Sequence, residues 1–119
     1  MKLWIDDVRP APEGYLWVKT VESAISEIVR YSREADWNWE WYILGHTDRE
    51  SFERRIKVWT IEEISCDNDL GENEAEGYKL LDWLEATGRN YPIRIHSANP
   101  VARERMRATI QRNGWTEVK

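Results

Sequence analysis

Three short apolar runs in this chain end in polar residues of the kind that carry chemistry, and this arrangement restricts the fold more than any other feature. Lys2 to Ile5 runs into Asp6-Asp7, Ile61 to Cys66 into Asp67-Asn68-Asp69, and Ile93 to His96 into Ser97-Ala98-Asn99-Pro100. Runs of this length bounded by turn formers read as strands. Between them the period changes. Val21, Ala24, Ile25, Ile28 and Val29 follow i, i+3, i+4, i+7, i+8 behind Thr20, which predicts a helix with Thr20 as its N-cap. A second helix is expected from about Ala75 to Thr87, with Tyr78, Leu81 and Leu84 on one face and Gly88 as its stop. Asn99-Pro100 opens a third, which runs to about Arg112 and ends at Asn113-Gly114. Tyr15 to Lys19 and Trp115 to Val118 add two short strands. Strands alternating with helices make this an α/β chain with a mostly parallel sheet, in which ligands bind outside the carboxyl ends of the strands. Each polar cluster named above lies at such an end.

With 119 residues the chain has the length of one domain, taken here as 1–119. No helix fits between the first two strands and none follows the last, so one sheet face is expected to be reduced, with about three helices in all. Alternation sorts Leu3, Ile5, Ile64, Cys66, Ile93 and Ile95 onto one face and Trp4, Ser65, Arg94 and His96 onto the other. Residues from about 32 to 60 fit no single period: Trp37, Trp39 and Trp41 alternate like a strand, and Gly45-His46-Thr47-Asp48 reads as a turn. We treat this stretch as a Trp-rich insertion, either a hairpin or a helical excursion. It holds four of the chain's eight tryptophans. Such aromatic area seeks burial, so the insertion or a second subunit is expected to cover the second sheet face, and the insertion is a route to homo-oligomers.

A formal net charge of −5 argues against extended nucleic-acid binding, which requires a basic patch that the linear sequence does not show. The lone Cys66 excludes an internal disulfide, and neither a leader nor an apolar run of 18 residues is present, so a cytoplasmic protein without a membrane partner is expected. A small phosphorylated ligand held through a metal remains compatible with the charge.

Asp6, Asp7, Asp67 and Asp69 place four carboxylates on what should be neighbouring strands. So much like charge is unfavourable without a cation, and hard oxygen ligands suit Mg²⁺ or another divalent ion. The competing reading is that they are turn formers and caps. Arg9 could hold a phosphate oxygen through its guanidinium fork, or form a surface ion pair. Ser97 and the N–H groups of the helix behind it form an anion-binding corner, or a plain cap. His96, beside that corner, titrates near neutrality and could move a proton. Cys66 points into the apolar set and reads as core; Glu72, Glu74 and Glu76 read as the acidic first turn of the second helix.

The strings Leu3-Trp4-Ile5-Asp6-Asp7-Val8-Arg9-Pro10-Ala11-Pro12-Glu13-Gly14, Trp17-Val18-Lys19-Thr20, Ser65-Cys66-Asp67-Asn68-Asp69-Leu70-Gly71 and Ile95-His96-Ser97-Ala98-Asn99-Pro100, in that order, resemble the cyclic-phosphate-processing receiver domains. The resemblance implies a receiver-like, flavodoxin-like fold. It makes Asp6 and Asp7 the metal-binding acid pair, shared with Asp67, the strand-end aspartate that receivers phosphorylate. Ser97 becomes the hydroxyl that contacts the phosphoryl group. Catalysis would rest on Asp67, His96 and Asp69, and phosphate binding on Arg9, Ser97 and Asn68. The implied ligand is a cyclic phosphate such as a cyclic nucleotide. Asn68 stands where the family usually has His, and it cannot shuttle a proton at neutral pH; binding without turnover is therefore one alternative. A phosphoacceptor receiver is another, with Lys119 the only counterpart of the receiver lysine, and an interaction module built on the insertion is a third.

Overall fold

The computed structural model describes residues 1–119 and contains five strands and four helices. In chain order they are β1 (Lys2–Ile5), β2 (Tyr15–Val18), α1 (Val21–Ile43), α2 (Arg49–Val58), β3 (Glu63–Cys66), α3 (Tyr78–Ala86), β4 (Ile93–Ile95), α4 (Pro100–Asn113) and β5 (Glu117–Val118). The sheet is parallel throughout, in the order β2-β1-β3-β4-β5. The order of the strands reverses at β1 and β3, whose carboxyl ends therefore face a crevice.

The alternation in the strands sets the layers. Leu3, Ile5, Ile64, Cys66, Ile93 and Ile95 join Ala24, Ile28, Leu80, Leu81, Leu84, Met106 and Ile110 in a buried apolar core. The residues from α1, α3 and α4 place these three helices on that face. Thr20 caps α1 by accepting from the Ser23 N–H, and Asn99 caps α4 by accepting from Val101 and Ala102, with Pro100 at the first turn. Gly114 ends α4 with φ +67°, a left-handed conformation that glycine adopts without steric cost.

The Trp-rich stretch is helical. α1 continues through it to Ile43, and after a turn Asp48 caps α2 by accepting from the Ser51 N–H. Its inward stripe is Tyr31, Ala35, Asn38 and Tyr42, a helical spacing interrupted by a buried asparagine that donates to the Glu34 carbonyl at 2.8 Å. A polar residue at the centre of the stripe and tryptophans on its flanks hide the period from sequence. Trp37 and Trp41, one turn apart, stack at 5.3 Å, while Trp39 and Tyr42 meet Phe52 of α2. These rings contact their own hairpin, and the expected covering of the second sheet face by this segment is not what the structure shows. α3 also begins three residues later than its acidic prelude suggests, leaving Glu72, Glu74 and Glu76 exposed in the preceding loop.

Side chains of the sheet cover the second face themselves. Trp4 stacks on His96 at 4.0 Å and meets Tyr15 edge-on at 5.7 Å. Glu63, buried at the start of β3, accepts from the Tyr15 hydroxyl and from Arg94 Nε at 3.1 Å, tying β2, β3 and β4 together. Burial pushes the Glu63 carboxyl up, but these two hydrogen bonds and the Arg94 charge outweigh it and hold it below its ordinary value. A carboxyl lowered in the folded state contributes stability above its unfolded value and loses it as pH falls through the folded one. Glu63→Gln is therefore expected to cost about 1–3 kcal/mol near neutral pH. In denaturant titrations that difference should shrink below about pH 4.5, the ordinary value of the group.

Candidate active site

The register of the three central strands assembles the site. Ile5 pairs with Cys66, and Cys66 with Ile95, so the next residue of each strand falls in one row: Asp6, Asp67 and His96. Backbone bonds carry the register one step further, from the Asp67 N–H to the Ile5 carbonyl and from the His96 N–H to the Cys66 carbonyl. The three side chains bring ligand atoms within 4.8 Å of one another.

Asp6 is the most heavily bonded of the three. Its Oδ1 accepts from the N–H groups of Val8 at 2.9 Å and Arg9 at 2.8 Å, closing the turn after β1. Its Oδ2 faces His96 Nε2 and Arg9 Nε, each at 3.1 Å. Burial raises the Asp6 carboxyl, but the Arg9 and Val8 N–H groups, with His96 and the Arg9 charge, bring it below the ordinary range. Asp67 is different. Burial pushes its carboxyl up, the Asn68 N–H at 2.8 Å only partly opposes this, and the negative charge of Asp6 adds to it. Two neighbouring carboxyls thus move in opposite directions, the pattern that separates a fixed anion from a group able to exchange a proton.

Burial also lowers His96, against the hydrogen bond to Asp6, and so favours the neutral ring. A carboxylate only accepts, so the neutral ring carries its proton on Nε2 and donates to Asp6, while Nδ1 accepts from the Ser65 hydroxyl at 2.8 Å. Trp4, parallel to the ring within 5°, fixes its plane.

Arg9 spans the cluster. Besides Asp6, its Nη2 lies 3.8 Å from Asp67 Oδ2 and 3.4 Å from the His96 carbonyl, while about half of the side chain stays exposed. It is the resident counter-charge of the two acids. Two tryptophans hold the loop that carries it: Trp4 Nε1 donates to the Arg9 carbonyl at 2.9 Å and Trp17 Nε1 to the Asp6 carbonyl at 2.6 Å.

The other residues expected at the site lie around this trio. Asp7 is half-buried, with Oδ2 close to Gly71, and Asp69 is exposed; neither belongs to the group of converging ligand atoms. Asn68 is buried, its Oδ1 accepting from the Tyr78 N–H at the start of α3 and its Nδ2 reaching Asp69 at 3.4 Å. It joins the β3 loop to α3, so the amide is used within the fold. Ser97 is buried, its Oγ accepting from the Asn99 N–H, and Asn99 takes the first free N–H groups of α4. Cys66 is core, its thiol pushed up by burial.

Sequence reasoning missed Ser65, Trp17 and Gly77, and it read Trp4 only as a residue in need of cover. The strand alternation that places Ser65 and Trp4 on the same face as His96 is the signal that could have found them. Gly77 leaves no such mark: a Cβ there would lie 1.8 Å from the Asp67 carbonyl oxygen, because the approach to α3 crosses directly over that residue. Gly77→Ala should therefore displace the Asp67 backbone and destabilise the fold by about 3 kcal/mol, measured by chemical denaturation, with the amide resonances of Asp67 and Asn68 shifting most.

No helix is long and apolar enough to cross a membrane. No curated protein and no solved structure matches the chain significantly. The family model of the cyclic-phosphate processing receiver domain matches residues 1–112. Together with the parallel β2-β1-β3-β4-β5 sheet, it establishes that the chain belongs to the cyclic-phosphate processing receiver domains.

Proposed function

We propose that this domain hydrolyses a cyclic phosphodiester, such as a cyclic nucleotide or a terminal cyclic phosphate, with a divalent cation at Asp6, Asp67 and His96. The observation that carries this is the convergence of two carboxylates and an imidazole within 4.8 Å at the carboxyl edge of the sheet. The donor set fits a divalent ion: carboxylate oxygens suit Mg²⁺ and Mn²⁺, and a ring nitrogen extends the choice to borderline metals such as Zn²⁺. Such an ion would supply Lewis acidity toward a nonbridging phosphate oxygen.

The chain's own groups account for the rest. The Asp67 oxygen that is not given to the ion is suited to accept the proton of the attacking water as the new P–O bond forms. It can return that proton to the ester oxygen released when the ring opens. Asp6 stays ionised and is held in place by two backbone N–H groups. With an ion bound, His96 would give it Nε2 in place of the bond to Asp6, and the ring proton would move to Nδ1, toward the Ser65 hydroxyl. His96 in turn is fixed by Ser65 and Trp4. Arg9, half-exposed, is free to turn from the acids to the nonbridging oxygens, where Ser97 supplies a hydroxyl. Asn68, engaged with α3, takes no part in proton transfer.

A panel of cyclic mononucleotides and terminal cyclic phosphates, assayed with Mg²⁺, Mn²⁺ and Zn²⁺, tests the reading. Metal-dependent turnover is expected, falling at least about 100-fold in Asp67→Asn. The same cation should raise the thermal midpoint of the parent protein and leave that of Asp67→Asn unchanged. Absence of turnover with every ligand and metal would overturn the hydrolytic reading.

One observation favours a second reading, a phosphoacceptor: Asp67 stands at the end of the middle strand, β3. Mass spectrometry after treatment with acetyl phosphate distinguishes the two. A stable phosphoryl group on Asp67 would favour signalling, and an unmodified chain would favour hydrolysis.

A further inference from the structure

A second charged cleft adjoins the acidic trio. It has a volume of about 430 Å³ and is lined by Arg94, His96, Arg103, Arg107, Glu117 and Lys119, with Ile95 and Val118. Four cations against one carboxylate stand out in a chain of net charge −5. They come from β4, α4 and the segment around β5, which explains why no basic patch shows in the linear sequence. Two are already paired: Arg94 with Glu63, and Arg107 with Glu117 at 3.1 Å. Arg103 is not. Its Nη1 donates to the carbonyls of Ile95 at 3.3 Å and Ser97 at 2.9 Å, which fixes the guanidinium, and no carboxylate comes within 4.0 Å of it.

A half-buried guanidinium, held by backbone carbonyls and sensing the Glu117 carboxylate only from beyond ion-pair contact, is a preorganised receptor for an oxyanion. The position matters as much as the charge. His96 lines this cleft and also reaches Asp6, and Arg103 holds the carbonyl of Ser97, so the two sites share the β4–α4 corner.

From this we infer that the cleft binds a second phosphate of the ligand, one linkage away from the group held over Asp6 and Asp67. The inference rests on the phosphate-handling reading of that trio and narrows its ligand from mononucleotides to ligands carrying two phosphates. A linear dinucleotide ending in a cyclic phosphate and a cyclic dinucleotide both present this chemistry.

The test compares a nucleoside 2′,3′-cyclic phosphorothioate, the corresponding linear dinucleotide and a cyclic dinucleotide, by calorimetry with Mg²⁺ at two salt concentrations. The expected result is that at least one two-phosphate ligand binds roughly tenfold or more tightly than the mononucleotide, and that the stronger of the two identifies the source. The advantage should shrink at high salt. It should disappear in Arg103→Gln and grow in Glu117→Gln, which removes the one carboxylate of the cleft and frees Arg107. Equal affinities, or an advantage unchanged in both variants, would overturn the inference. If no nucleotide binds at all, the reading of the acidic trio is at fault, and inorganic pyrophosphate then decides about the cleft alone. A shift of the Arg103 Nε resonance that Glu117→Gln strengthens upholds it, and no shift overturns it.

Discussion

The placement of two buried carboxylates side by side at the ends of adjacent parallel strands is the constraint on which the rest of this structure depends. Asp6 and Asp67 follow paired residues of β1 and β3, so the register brings them together whatever their charge. Burying like charges is costly unless they are neutralised or hydrogen-bonded. The fold responds with unequal surroundings. Asp6 receives two backbone N–H groups, an imidazole and a guanidinium, and it stays ionised; Asp67 receives one N–H and a more distant arginine, and its carboxyl rises.

Much of the surrounding architecture maintains that inequality. The turn after β1 closes on Asp6 and brings Arg9 back over both acids, and the indole N–H groups of Trp4 and Trp17 hold that turn from the sheet side. Trp4 also carries His96 on its face, so one residue positions both the loop and the ring. On the other side of Asp67, the close passage of Gly77 and the bond from Asn68 to Tyr78 tie the β3 loop to α3. The sheet face without helices is thus a working surface. Trp4, Tyr15, Glu63, Ser65, Arg94 and His96 are linked across it by stacking, hydrogen bonds and an ion pair.

The same logic separates the two halves of the edge of the sheet. Around β1 and β3 the charge is acidic and balanced by one arginine; around β4 and β5 it is basic, with one carboxylate. A parallel sheet makes this segregation easy, because every strand delivers its loop to the same edge. The Trp-rich α1–α2 hairpin takes no part in it, and its aromatic contacts join the two helices to each other.

The sequence by itself determined the strands, three of the four helices, the core face of the sheet and the candidate acids, because these follow from local periodicity and turn chemistry. Residues such as Thr20, Asn99 and Gly114 announce their roles through positions one to four residues away. Tertiary structure alone decided the rest. Asp67 and His96 are drawn in with Asp6 while Asp7 and Asp69 stay apart, Asn68 becomes a link to α3, the helical period of the tryptophan stretch survives a buried Asn38, and four distant cations meet in one cleft. The physical reason is that burial, unlike periodicity, is set by neighbours far along the chain. Burial raises both acids and favours the neutral imidazole, while the unequal bonds made from distant segments separate Asp6 from Asp67. The packing of α4 on β4 turns Arg103 to backbone carbonyls without an ion-pair contact.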